Sequence, residues 1–402
     1  MSENPKVKKL KRTPLFNAHQ KLGGRLIEFG GWEMPVHYTS ISDEHLAVRK
    51  AAGIFDISHM GEVSLTGPNA EKFLNETLTN DVRKLSPGQG QYTLMCNKKG
   101  GAIDDLYLYR LGAEDFLLIV NASRITADVA WLRKRLAAFA DRNTVTLSNA
   151  SNKTGAVAVQ GPRVQEFIGN VIPGASVGGT QVGSVTELKK NEVGKFNLDG
   201  TEILVARTGY TGEDGFEIVA PSKKIETIWE RLLAAGQPLG LKPAGLGARD
   251  TLRTEMCYPL YGHELDEKTT PIEAGVGFFV SLDKGDFVGR SVLAEQKAKG
   301  TSKKLAAFNM TDRSAPPRPG YPVWSTGPEA KAIGTVASGT QSPLLGLGIG
   351  MAYVPPAFAK AETPIEIEIR GKRYPATVIP KPGARKPIDP PPEQPIDPAV
   401  EP

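Results

Sequence analysis

Short extended segments recur along this 402-residue chain between Gly, Pro and Asn turns, and their intervals are too irregular for repeated strand–helix–strand crossovers. Segments 63–65, 92–95, 103–111, 116–120, 156–159, 203–207 and 216–219 read as strands. A helix is predicted over 222–235, where Ile225, Ile228, Trp229, Leu232 and Leu233 form one apolar stripe, with Ser222 as cap and Gly236 as stop. A shorter helix is predicted after Ser42, with Asp43 and Glu44 in its first turn and Gly53 ending it. This mixture points to an α+β fold with antiparallel sheets. Beyond the polar stretch 295–304, which reads as a linker or exposed helix end, segments 306–308, 332–336, 347–354, 365–369 and 374–378 are closely spaced. They predict a small C-terminal barrel or sandwich over 305–380.

The length calls for two or three domains, and a composition of 40% hydrophobic and 23% charged residues is that of an ordinary globular protein. The net charge of +5 is matched by Lys6, Lys8, Lys9, Lys11 and Arg12 alone, so residues 1–11 read as a flexible basic end and no general nucleic-acid surface is expected. The Pro-rich segment 381–402 holds little to bury and reads as a disordered tail. No apolar run approaches the roughly 18 residues that span a bilayer, and no apolar stretch follows the N-terminal lysines. Cys96 and Cys257 have no metal or disulfide spacing and are expected to be buried thiols. A cytoplasmic protein without a membrane partner follows from these readings.

The stretch "NKKGGAIDDLYLYRL", 97–111, carries two adjacent carboxylates. On a strand, Ile103, Asp105, Tyr107 and Tyr109 share one face, and Asp104, Leu106, Leu108 and Arg110 the other, so the two aspartates are not a dyad. Asp105 then lies on an aromatic wall where it can meet a cationic or proton-donating ligand. Alternatively, both aspartates accept hydrogen bonds from the Gly100–Gly101 turn. In "RTGYTGEDGFEI", 207–218, glycines allow close backbone approach, and a carboxylate on the returning strand can accept two parallel hydrogen bonds; an exposed acidic hairpin would look the same. Arg249 and Arg253 stand one helical turn apart, fit either to grip an anion or to pair with Asp250 and Glu255. P-loop, nucleophile-elbow and Cys-x-x-Cys motifs are absent, the five histidines lack metal-ligand spacing, and "GLGIG" at 346–350 lacks the helix that a dinucleotide loop needs.

Taken together, "RTPLF" at 12, "FGGWEMPVHY" at 29, "GIFDISHMGE" at 53, "MCNKKGGAIDDL" at 95, "VQGP" at 159, "RTGYTGEDGFEI" at 207, "GLGARDTLRTEM" at 245, "YGHELDE" at 261, "FVGR" at 287 and "SGTQSP" at 338 resemble, in order, the aminomethyltransferase or T-protein family of the glycine cleavage system. The resemblance implies a three-domain cloverleaf around a central folate cavity, with two intertwined α+β domains over 12–294 and a C-terminal barrel. It implies that tetrahydrofolate accepts a carbon from the aminomethyl-lipoyl arm of H-protein, giving methylenetetrahydrofolate, ammonia and a dihydrolipoyl arm, with no metal. By position, Asp105 matches the catalytic carboxylate, Glu217 the pterin-gripping residue and Arg249 a folate contact; Met60, Tyr92, Tyr109, Asn121 and Tyr210 match pocket residues. Related proteins commonly carry tryptophan at Phe278, and some have a C-terminal tyrosine that this chain lacks. Two rivals share the scaffold: a demethylase delivering methyl groups to tetrahydrofolate, and a non-catalytic folate-binding factor of iron–sulfur assembly. Retention of "IDDL", "GYTGEDGFE" and "GARD" favours the enzyme over the latter.

Overall fold

The structure is a computed structural model that describes residues 9–382. The expected flexible end and Pro-rich tail lie largely outside the described residues. At their inner edges the chain is tied down: Lys11 bridges to Trp32, and the Lys381 Nζ donates to the Ala274 carbonyl at 3.2 Å.

A seven-stranded sheet forms the larger platform, in the order Gly178–Gly179, Val193–Leu198, Thr201–Ala206, Gly215–Pro221, Thr154–Gln160, Ala52–Asp56 and Leu241–Pro243. Its pairs are antiparallel except the last, which is parallel. Ala52–Asp56 and Thr154–Gln160 are neighbours, and much of the chain between them builds a second, antiparallel sheet. That sheet runs Gln89–Cys96, Ala102–Arg110, Asp115–Val120, Gly61–Thr66 and Thr146–Asn149. Tyr109 and Leu117 of the smaller sheet pack on Val193 and Ala206 of the larger, so the two sheets face each other. The C-terminal strands close a six-stranded barrel around Phe308, Val323, Ile365, Ile367 and Val378, as the short-strand spacing predicts. The fold is α+β with a closed C-terminal barrel.

Helix Ser222–Gly236 lays Ile225, Ile228, Trp229 and Leu232 on the larger sheet, the predicted stripe. It ends at Gly236 as expected, but its cap and its left-handed stop differ from expectation. Ser222 lies inside the helix after Pro221, and the left-handed residue that ends the following turn is Gly240, φ 91°, not Gly236. The earlier helix is Ile41–Lys50, capped by the Ser40 hydroxyl, which accepts from the Asp43 amide at 3.1 Å. Gly53 lies beyond it in strand Ala52–Asp56, where a Cβ would stand 2.4 Å from Val48 Cγ2; it permits helix-on-sheet contact and ends no helix. Strand Pro322–Ser325 was unexpected, being short and opened by a proline. The polar stretch 295–304 closes helix Arg290–Lys299 and leads directly into strand Lys304–Met310. Cys96 is buried as expected; Cys257 is only half-buried.

Candidate active site

Strand Ala102–Arg110 lies between Gln89–Cys96 and Asp115–Val120, with Asp105 opposite Leu94, and Tyr107 opposite both Tyr92 and Ile119. A bulge near its start shifts register between Met95 and Cys96. Ile103 therefore leaves the Asp105 face and packs with Leu106 and Leu108 in the core behind the sheet, a break in simple alternation. The Gly100–Gly101 turn does not use the aspartates: Asn97 Oδ1 accepts from the amides of Lys99 and Gly101 at 2.8 and 3.2 Å.

Asp105 is held at both oxygens. The Tyr92 hydroxyl donates to Oδ2 at 2.9 Å, and Asn121 Nδ2 lies 3.1 Å from Oδ1. The same Asn121 nitrogen donates to Asp104 Oδ1 at 2.9 Å, and the Asn121 backbone N–H to Asp104 Oδ2 at 3.0 Å. The two aspartates occupy opposite faces, as alternation requires, yet Asn121 couples them across the edge of the strand. Burial first and the charge of Asp104 second push the Asp105 carboxyl up to about 7, against the opposing pull of Tyr92 and Asn121.

Glu217 sits on strand Gly215–Pro221, where the larger sheet faces the smaller. Its Oε2 accepts from the Thr208 hydroxyl at 2.6 Å, and Thr208 in turn lies 2.8 Å from the Tyr109 hydroxyl. Met60, Glu62, Tyr109, Leu117, Ile119 and Glu217 are among the residues lining a narrow cleft between the sheets. Glu62 was not anticipated from sequence. It stands opposite Ile119 on the cleft face, accepts at Oε2 from Thr154 at 2.9 Å, and has its other oxygen buried without a partner. Burial raises its carboxyl to about 7. Its place in "HMGE", two residues after Met60, was the only sequence signal for it, and Thr208 likewise had only its place in "RTGY", two residues before Tyr210.

Arg249 opens toward the same region from helix Leu246–Glu255. Its guanidinium lies 4.9 Å from the centre of the Tyr210 ring, and its Nη1 is buried without a hydrogen-bond partner. Burial weakens its hold on a proton, while the charge of Glu217 acts in the opposite sense. Tyr210 is fixed by donating to the Pro259 carbonyl and by stacking 5.8 Å from Tyr258. The cleft thus gathers Met60, Tyr109 and Glu217, while Asp105 with Tyr92 and Asn121, and Arg249 with Tyr210, form two flanking groups outside its lining. Phe278 lines none of this: it is 89% exposed, and Phe279 is the ring that meets Tyr92, at 4.7 Å. Arg253 is structural. Buried, it bonds Asp250 at 2.8 Å, Glu264 at 3.0 Å and the barrel hydroxyl of Ser338 at 2.7 Å.

Family comparisons bear on this arrangement. Residues 15–284 match the GCVT N-terminal domain, and residues 303–383 the glycine cleavage T-protein C-terminal barrel domain. An aminomethyltransferase of Bacillus cereus is 47% identical over 93% of this chain and 98% of its own length. One from Bacillus cytotoxicus is 47% identical over the same shares. The crystal structure of glycine cleavage system aminomethyltransferase T from Bartonella henselae superposes with a TM-score of 0.83 and 33% identity, covering 92% of this chain and 97% of that one. The chain belongs to the glycine cleavage T-protein family. Its activity is aminomethyl transfer, and the demethylase and iron–sulfur assembly readings are not favoured. Among the described residues, no helix of this T-protein is long and apolar enough to cross a membrane.

Proposed function

We propose that this T-protein moves the carbon of an aminomethyl group, presented on the lipoyl arm of H-protein in the cytoplasm, to tetrahydrofolate, with Asp105 as the carboxyl at the reacting centre. The observation that carries this reading is Asp105 itself, fixed at both oxygens by Tyr92 and Asn121 and raised by burial to about 7. Tetrahydrofolate supplies the amine that accepts the carbon. The residues fit it. Glu217 has one oxygen not taken by Thr208, and its carboxylate suits the paired N–H groups of a pterin edge. The orphaned Nη1 of Arg249 suits a carboxylate at the folate's glutamate end. Met60 and Tyr109 line the cleft, and Tyr210 holds the Arg249 guanidinium in place.

Near neutral pH, Asp105 exists in both protonation states. Ionised, it takes the proton leaving the attacking nitrogen and offsets positive charge on the carbon that loses ammonia, a contribution of about 10² to 10⁴ in rate. Tyr92 and Asn121 orient the carboxyl and do no chemistry of their own. The test is methylenetetrahydrofolate formation from aminomethylated H-protein. Asp105→Asn should lower kcat by about 10² or more while folate still binds; activity within a few-fold of the parent refutes the role. Glu217→Ala should raise the folate Kd, and an unchanged value removes the pterin clamp.

A further inference from the structure

Behind Asp105, on the side away from the cleft, lies a third carboxyl group. Helix Ile125–Ala137 packs Val129 and Leu132 onto the core of the smaller sheet and brings Asp128, fully buried, within hydrogen-bond reach of Asp104. Neither oxygen of Asp128 has an N–H or O–H donor from any other described residue. Its nearest cation, Arg124, stands 4.0 Å away and is otherwise engaged, with Nε donating to the Ile103 carbonyl at 3.0 Å and Nη2 to Glu267 at 2.8 Å. Two adjoining buried carboxylates cannot both be charged without a donor between them, so one proton belongs to the pair. Asp104 has two N–H donors from Asn121 that favour its ionised form, and Asp128 has none. The proton therefore sits on Asp128.

We propose that Asp128 is a positioning residue: held protonated, it donates its O–H to Asp104, keeps Asp104 ionised as the anchor for Asn121, and through Asn121 orients Asp105. Atoms balance along the chain. The Asp128 O–H and the Asn121 backbone N–H both reach Asp104, and the Asn121 amide supplies its two hydrogens to Asp104 Oδ1, Asp105 Oδ1 and the Asp105 carbonyl, 2.9 to 3.1 Å away. The groups facing Asp128 agree. Burial, Asp104 and Asp105 all favour the neutral acid and raise it to about 10, with Arg124 opposing. Tyr261 and Glu267, on the loop beyond Arg124, are the other titratable groups nearby.

This inference rests on the role proposed for Asp105, and two readouts separate the two. The first is independent of turnover: infrared spectra at pH 8 should show a buried protonated-carboxyl C=O band in the parent that is missing from Asp128→Asn. The second is the pH dependence of kcat/KM for aminomethyl transfer. Asp128→Asn, whose amide still donates to Asp104, should stay within about twofold of the parent and keep the limb near pH 7. Asp128→Val leaves Asp104 without that donor, so Asp104 takes the proton. Its charge no longer lifts Asp105, the limb moves to lower pH, and kcat falls about tenfold as Asn121 loses its anchor. Absence of the infrared band, equal losses in both variants, or parent-like behaviour of Asp128→Val would each overturn the proposal. Parent-like activity of Asp105→Asn would instead count against the role of Asp105, with the infrared band still deciding where the proton sits.

Discussion

Replacing Glu62 with Gln should stabilise the protein, and only at the higher end of the pH range. In the folded chain the carboxyl is 2% exposed, one oxygen lacks any partner, and burial raises it from the ordinary 4.5 to about 7. Unfolded, it regains its ordinary value. A folded-state value above the unfolded one means that the acid form is the tolerated one. Stability is fully present below about pH 4.5 and is lost as pH rises through about 7, when a charge must be held away from water. The difference corresponds to about 3 kcal/mol once both states are ionised. Glutamine keeps an oxygen to accept from Thr154 and never ionises. Urea unfolding of parent and Glu62→Gln at pH 4.5, 6, 7 and 8 should give coincident midpoints at the acid end and a widening advantage for the variant, approaching about 3 kcal/mol at pH 8. A constant gap across the series, or a variant no more stable than the parent at pH 8, would refute burial as the cause.

Three further outcomes follow from the same geometry. The acid limb of kcat/KM should fall near pH 7, activity rising as Asp105 ionises, and should vanish in whatever activity Asp105→Asn retains; a limb below pH 5 would show that another group governs it. Arg253→Met should cost about 3 to 5 kcal/mol in urea unfolding, because it leaves the buried carboxylate of Glu264 unpaired and removes the bond to Ser338 on the barrel. Gly53→Ala should cost about 1 to 3 kcal/mol, its Cβ running into Val48, and the cost should fall in a Val48→Ala background.

Much of this was legible because it depends on local period. The alternation around Asp105 and the stripe of helix Ser222–Gly236 need only the neighbours in sequence. The exceptions needed a partner from elsewhere in the chain. Ile103 changes face because the register shift arises against the opposite strand, at Met95 and Cys96. Glu62 takes its meaning from Thr154, ninety-two residues away, and Arg253 from Ser338, eighty-five away, so neither buried role can be read from composition. Gly53 looks like a helix stop in sequence yet makes room for Val48, and Gly236, the last helical residue, also makes room for Leu241. The link from Asp104 to Asp105 depends on Asn121, which follows the next strand and returns its amide to the preceding one.

The order of strands in the larger platform also dictates what a ribosome must release before that platform can close. Ala52–Asp56, buried along its whole length, has as neighbours only Thr154–Gln160 and Leu241–Pro243, both made later. The inserted sheet can zip up while this apolar ribbon is still bare on both edges. At ordinary elongation rates of about 5 to 20 residues per second, the second edge stays uncovered for on the order of 10 to 40 s. During that interval the nascent chain presents an unpaired, otherwise buried strand edge to any chaperone, or any sister chain, within reach.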